Sequence, residues 1–130
     1  MISKEEFKEQ LDPGWAIAFG DDLYDEICEA LKKDERDPDE FDFDEIKEKF
    51  AALRIYAHGY GKNTEDVIDK YEDLSRYFCG HCGKIAKFIT NGWFYPFCED
   101  CIKEINSSYM PIKEFYGFDD KEILEEIDNN

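Results

Sequence analysis

Two Cys-x2-Cys pairs, Cys79-Gly80-His81-Cys82 and Cys98-Glu99-Asp100-Cys101, lie fifteen residues apart. No other feature of the chain restricts its fold as much. A tight turn can aim two thiolates, spaced by two residues, at one ion, and two such turns complete a tetrahedron. Gly83 follows the first pair, where the backbone often needs a conformation closed to residues carrying a Cβ. The spacing therefore predicts one zinc ion held by Cys79, Cys82, Cys98 and Cys101. Four sulfurs leave no position for water, so the predicted ion is structural rather than catalytic. Two pairs bracketing a common segment fit a metal better than a dithiol redox couple or four buried free thiols.

Between the pairs, the β-rich runs 84–90 and 93–97 flank Asn91-Gly92, which predicts a hairpin closed by a two-residue turn. Residues 99–105 then read as a helix with Glu99 and Asp100 in its first turn, where the helix dipole favours acids. A knuckle, a hairpin and a helix carrying the last two ligands resemble the treble-clef class of zinc modules. His81 lies inside the knuckle and reads as an exposed spectator, since four sulfurs already suffice.

The chain has 130 residues, the size of one domain. Hydrophobic residues make up 42% and aromatic ones 16%, enough for a modest core despite the charge. The expected class is α+β: N-terminal helices in an acidic part over 1–45, strands plus a helix over 46–78, the zinc module over 79–105, and an acidic aromatic tail over 106–130. No apolar run is long enough to span a membrane, and Met1-Ile2-Ser3-Lys4 does not open a signal peptide. Four of five cysteines sit in the metal pattern, which points to a reducing cytoplasm.

Ser3-Lys4-Glu5-Glu6 is a capping box, with Ile2 placed to staple against Phe7. The helix it starts is expected to stop at the turn sequence Asp12-Pro13-Gly14. Trp15, Phe19, Leu23, Ile27 and Leu31 then recur every four residues, one apolar helical face reaching about Lys33. Gly20 is expected to interrupt it, with Asp21 or Asp22 recapping the main part. Cys28 reads as a small half-buried core residue rather than a nucleophile. The next helix is expected to be capped by Asn63 or Thr64, with Val67, Ile68, Tyr71, Leu74 and Phe78 as its apolar stripe. The glycines of His58-Gly59-Tyr60-Gly61-Lys62 do not make a phosphate loop, because Asn63 follows the lysine where Ser or Thr is needed.

Residues 46–57 fit a helix through Ile46, Phe50, Leu53 and Ala57. They also fit two strands through Ile46, Glu48, Phe50 and Leu53, Ile55, Ala57. Here Ile46-Lys47-Glu48-Lys49-Phe50 and Leu53-Arg54-Ile55-Tyr56 resemble a segment of small phage and bacterial proteins of uncharacterised function. In that family a KEKFG-x-LR-[FI]-Y segment precedes a helix, a C-x2-C-G pair, a Gly-Trp and a second C-x2-C. Trp15, Cys79, Cys82, Gly83, Gly92, Trp93, Cys98 and Cys101 match, over roughly residues 14–104. Ala51 departs from the family, which carries glycine there. The resemblance implies two antiparallel strands and a bound metal, and carries no activity.

The formal net charge is −17, and its distribution matters more than its size. Residues 1–50 carry 7 Lys/Arg against 18 Asp/Glu, residues 104–130 carry 2 against 8, and the stretch 79–103 carries 3 against 2. Four bound thiolates and one divalent ion make that stretch about two units more negative than its count. The densest acidic run, residues 34–45, has two readings: a solvated loop entering a strand, or a docking surface formed by Asp37, Asp39, Glu40, Asp42 and Asp44. Pro38 excludes a continuous helix there. The tail has an aromatic linker over 109–118 and a short acidic helix over 119–127, expected to fold back over the core.

Such a field repels nucleic-acid phosphates and speeds encounter with cationic proteins. The sequence therefore reads as a non-enzymatic binding module, an inhibitor of a basic nucleic-acid-handling protein, from host or toxin, of phage anti-defence or immunity type. A nucleic-acid-binding zinc module using Lys84, Lys87, Arg54, Arg76 and exposed aromatics such as Trp93 and Tyr95 is the second reading, but such modules are normally basic. With two histidines, no G-x-S-x-G, no H-E-x-x-H and no open metal position, an enzyme is the least favoured class.

Overall fold

The computed structural model of the chain describes residues 1–117; the acidic helix expected over 119–127 lies outside them. The architecture is α+β: a helical body with a β-hairpin, followed by a three-stranded sheet beside the cysteines.

Helix α1 (Lys4–Glu9) is capped as expected, the Ser3 hydroxyl accepting the Glu6 backbone N–H at 3.1 Å. Glu6 reaches back to the Ser3 hydroxyl, also at 3.1 Å, rather than to the Ser3 backbone. Pro13 then begins a new helix instead of a plain turn, because its missing N–H costs nothing at a first helical position. Helix α2 (Pro13–Trp15), a π-helical segment (Ala16–Gly20) and helix α3 (Asp21–Lys33) run on without a break. The interruption expected at Gly20 is absent: Gly20 is helical, with φ −56° and ψ −43°. The four-residue spacing of Trp15, Phe19, Leu23, Ile27 and Leu31 explains the π segment. A period of four drifts about 40° per step around an α-helix, and one looser i→i+5 turn winds the stripe back. All five side chains are buried.

The hairpin reading of residues 46–57 holds. Strands β1 (Phe43–Lys49) and β2 (Ala52–Ala57) pair antiparallel, Ile46 opposite Ile55 and Lys49 opposite Ala52. Phe50 and Ala51 close it as a two-residue turn with φ of +52° and +68°. Both residues thus hold the left-handed conformation that a primed turn requires, although Ala51 stands where the resembling family has glycine. Helix α4 (Lys62–Ser75) packs against β2 and α3 and protects the outer edge of β2. Ser75 Oγ accepts the Leu53 N–H at 2.8 Å, and the Glu72 carboxylate accepts the Ile55 N–H at 2.9 Å. Burial pushes the Glu72 carboxyl above its ordinary pKa.

Helix α4 is capped from a distance. Neither Asn63 nor Thr64 is its cap residue, since the helix already begins at Lys62 behind Gly61. Instead Asp34, at the end of α3, accepts the backbone N–H groups of Gly61, Asn63 and Thr64 at 2.9–3.0 Å, and the Asn63 side-chain amide at 2.9 Å. Desolvation opposes the charge on Asp34, yet the hydrogen bonds from Thr64 and Asn63 outweigh it and hold the carboxyl well below the usual carboxylate range.

In the second sheet, β3 (Phe88–Thr90) lies between β4 (Pro96–Phe97) and β5 (Tyr109–Pro111). The expected two-residue turn at Asn91-Gly92 is not formed. Phe88 faces Phe97 and Ile89 faces Pro96, which leaves a four-residue connection closed by Thr90 N–H to Tyr95 O at 3.2 Å. The Asn91 N–H goes instead to Ser108 O at 2.9 Å, so it serves the next connection rather than the turn. The segment expected as an aromatic linker supplies β5, with Ile89 opposite Met110, and then helix α6 (Ile112–Tyr116), whose Ile112 is buried. Sheet order thus carries the module beyond residue 105. Helix α5 (Glu99–Ile102) is shorter than the 99–105 expected. Among the described residues, no helix is long and apolar enough to cross a membrane.

Candidate metal centre

Cys79 and Cys82 lie in the turn between α4 and β3, Cys98 is the N-cap of α5, and Cys101 sits within it. Their sulfurs converge. All four Sγ atoms lie within 4.8 Å of one another, with Cys82 and Cys98 at 3.4 Å. A tetrahedral ZnS4 group with bonds of about 2.3 Å has edges of about 3.8 Å, so the four cysteines can hold one metal ion. Cys79 and Cys98 are buried, Cys82 and Cys101 half-buried.

The first turn is built as the sequence requires. Gly83 N–H donates to Cys79 O at 3.0 Å, Cys79 N–H donates to Lys84 O at 2.7 Å, and Gly83 has a φ of +86°. In the second, the Cys101 N–H points at Cys98 Sγ at 3.4 Å. Burial acts against a charge on Cys98, but this N–H and the neighbouring thiols hold it below the ordinary thiol range. Burial and crowding push Cys82 and Cys101 up. Cys82 and Cys101 would therefore lose their protons to a cation that replaces them. His81 is exposed, as expected, but its Nδ1 lies 3.3 Å from Cys101 Sγ, so it partners a ligand sulfur rather than standing apart.

The sequence reading missed how this centre is joined to the N-terminal helices. Gly14 donates its N–H to Gly80 O at 2.8 Å. A Cβ at Gly14 would sit 2.0 Å from Cys79 O, so no other residue fits without moving the metal-binding turn. Trp15 Nε1 donates to Phe78 O at 3.1 Å, its ring stacks on Tyr95 at 6.2 Å, and the Tyr95 hydroxyl donates to Asp12. Burial and the Asp12 bond raise the Tyr95 pKa well above the tyrosine range, so the hydroxyl stays a donor. Gly80 N–H donates to Pro96 O at 3.1 Å, which ties the same turn to β4. Nothing in Asp12-Pro13-Gly14-Trp15 signals this locally, because each partner is more than sixty residues away.

The five acids Asp37, Asp39, Glu40, Asp42 and Asp44 are all exposed, in and after a short 3-10 turn (Pro38–Glu40). Three already have local partners. Asp37 accepts the Asp39 N–H at 2.9 Å, Asp42 lies 3.9 Å from the terminal amine, and Asp44 accepts from His58 Nδ1 at 2.9 Å. That bond raises the His58 pKa. Cys28 is half-buried, and burial pushes its thiol up, away from nucleophile chemistry. The cations offered for phosphate binding are also engaged: Lys84 with Asp100 at 3.2 Å, Arg76 with Asp73 at 2.7 Å, and Arg54 with Glu72 at 3.9 Å.

No protein-family model, curated protein or solved structure matches this chain.

Proposed function

We propose that this chain is a non-enzymatic, zinc-stapled protein that docks on a basic surface of a nucleic-acid-handling protein and blocks it, in the manner of a phage anti-defence or immunity protein. The reading rests on the placement of charge. A net charge of −17 includes exposed carboxylates at Asp37, Asp39, Glu40, Asp42 and Asp44 in one short stretch. Such a field speeds encounter with cationic proteins and repels phosphates. Zinc suits four thiolates at tetrahedral spacing, and a closed shell gives it a structural role. The engagement of Lys84, Arg54 and Arg76 with carboxylates weighs against the nucleic-acid reading.

The test is affinity capture from host lysate at low and high salt, beside a gel-shift assay with DNA and RNA. The expected result is a basic protein released by salt, and captured poorly by a variant with these five acids changed to amides. Nucleic acid bound at micromolar protein and moderate salt, with no protein retained, contradicts the proposal.

A further inference from the structure

Four aromatic rings are notably exposed among the described residues: Phe50 at 65%, Trp93 at 52%, Tyr109 at 47% and Tyr56 at 40%. They fall into two classes. Lys49 Nζ stands 5.7 Å from the centre of Phe50, and Lys47 Nζ stands 5.5 Å from that of Tyr56. Over Trp93 and Tyr109, no cation of the chain stands among the described residues. Their neighbours are other rings. Trp93 stacks on Tyr95 at 5.5 Å and 27°, Tyr95 stacks on Trp15, and Phe97 meets Trp93 edge-on at 6.0 Å. Tyr109 meets Phe88 edge-on at 5.2 Å.

Register brings their backbones close. Phe88 faces Phe97, Thr90 faces Tyr109, and the Thr90 hydroxyl donates to Trp93 O. Trp93 and Tyr109 thus both border Thr90 through their backbones, while their rings sit in two groups, Trp93 with Tyr95 and Phe97, and Tyr109 with Phe88. Trp15 and Phe97 back the Trp93 stack and are buried, so the Trp93 ring is held before any partner arrives. Asp12, bonded to Tyr95, sets a carboxylate beside the stack.

We propose that Trp93 receives an arginine side chain of the basic partner, its guanidinium lying on the ring face. This rests on the docking function proposed above and locates the specific contact outside residues 37–44. A planar, weakly hydrated guanidinium stacks on aromatic faces better than a compact ammonium does. Nucleic-acid bases also stack on exposed rings, but that mode needs a cationic groove for the backbone, and the net charge of −17 opposes it. The acidic stretch then steers the encounter, while the Trp93 stack selects the side chain.

Titration of the purified zinc-loaded protein with octa-arginine, octa-lysine and a thymidine oligonucleotide, followed by calorimetry and tryptophan fluorescence, tests this. Trp15 is buried, so quenching reports Trp93. Octa-arginine is expected to bind about fivefold more tightly than octa-lysine, and Trp93→Ala to remove that preference. Trp93→Phe keeps part of it, which separates loss of the ring from loss of folding. Changing the five acids of residues 37–44 to amides weakens both peptides alike and leaves their ratio intact. Equal binding of the two peptides, or a preference unaffected by Trp93→Ala, overturns the arginine site while leaving electrostatic docking in place. Failure of both peptides to bind at low salt overturns both proposals. Oligonucleotide binding that depends on Trp93 makes nucleic acid the occupant and overturns the arginine assignment.

Discussion

Around α3 and α4, thirteen buried side chains from Phe7 to Leu74 make one apolar cluster, among the described residues. The part of the molecule beyond Phe78 depends on two smaller clusters. One has five buried members and borrows Ala51 and Tyr77 from outside the module, and the other has four, two of them cysteines. The difference is one of means. Burying a large aliphatic or aromatic side chain stabilises by about 1.5–3 kcal/mol, so the helical body has a core sufficient to order it. Strands of three and two residues do not hold themselves together in water. For the module, drawing four sulfurs onto one ion would replace the missing core. The two regions meet at Gly14, Trp15 and Tyr95, where body and module share hydrogen bonds and a ring stack.

The largest effect that bears on this contrast is loss of a ligand. Cys79→Ser or Cys98→Ser is expected to abolish amide-exchange protection in β3, β4 and β5 and to lower the melting temperature sharply, because metal binding is here folding free energy. Protection in α3 and α4 should fall less. Equal loss in both regions breaks the contrast, and a native-like profile shows that the sulfurs need no ion. Gly14→Ala addresses the seam. Its methyl meets the Cys79 carbonyl, and overpacking of this kind costs about 1–3 kcal/mol, read in chemical denaturation together with weaker metal retention. Unchanged metal affinity would mean that body and module are independent.

Asp34→Ala acts on the body alone, and should lower its melting temperature by several degrees while sparing the metal centre. The pH dependence has a definite sign. A carboxylate whose folded pKa is depressed contributes in full above the unfolded value of about 3.9, and its contribution fades as pH falls below that toward the folded value. Asp34→Ala should therefore remove part of the acid sensitivity seen by circular dichroism below about pH 4. The smallest effect is a gain. Phe50 is exposed and left-handed, so Phe50→Asn relieves strain at little cost in packing, stabilising by about 1 kcal/mol or less. A loss would mean that the Lys49 contact over the ring outweighs the backbone.

The two hairpins show what was legible in the sequence. Asn91-Gly92 is the strongest short-range turn signal in the chain, yet no two-residue turn forms there: Thr90 N–H pairs with Tyr95 O, four residues lie between them, and the Asn91 N–H goes to Ser108 O just ahead of β5. Phe50-Ala51 carries no turn signal, yet it makes the tight turn, because the flanking strands pair in register and Ala51 is buried within the second cluster. Tertiary context overrode local preference in both. The convergence of the four cysteines was readable because metal geometry writes itself into spacing, as was the helical stripe, because burial has a period. Asp34 capping a helix from the end of the one before it, and Gly14 seated against the first knuckle, leave no local trace. Each depends on a partner far along the chain.

The most direct measurement is metal stoichiometry by native mass spectrometry, followed by amide exchange after chelation. One zinc ion per chain, lost on chelation together with protection in β3, β4 and β5 while α3 and α4 remain protected, is the predicted result. A metal-free chain with four reduced thiols and the same protection throughout both regions would contradict it.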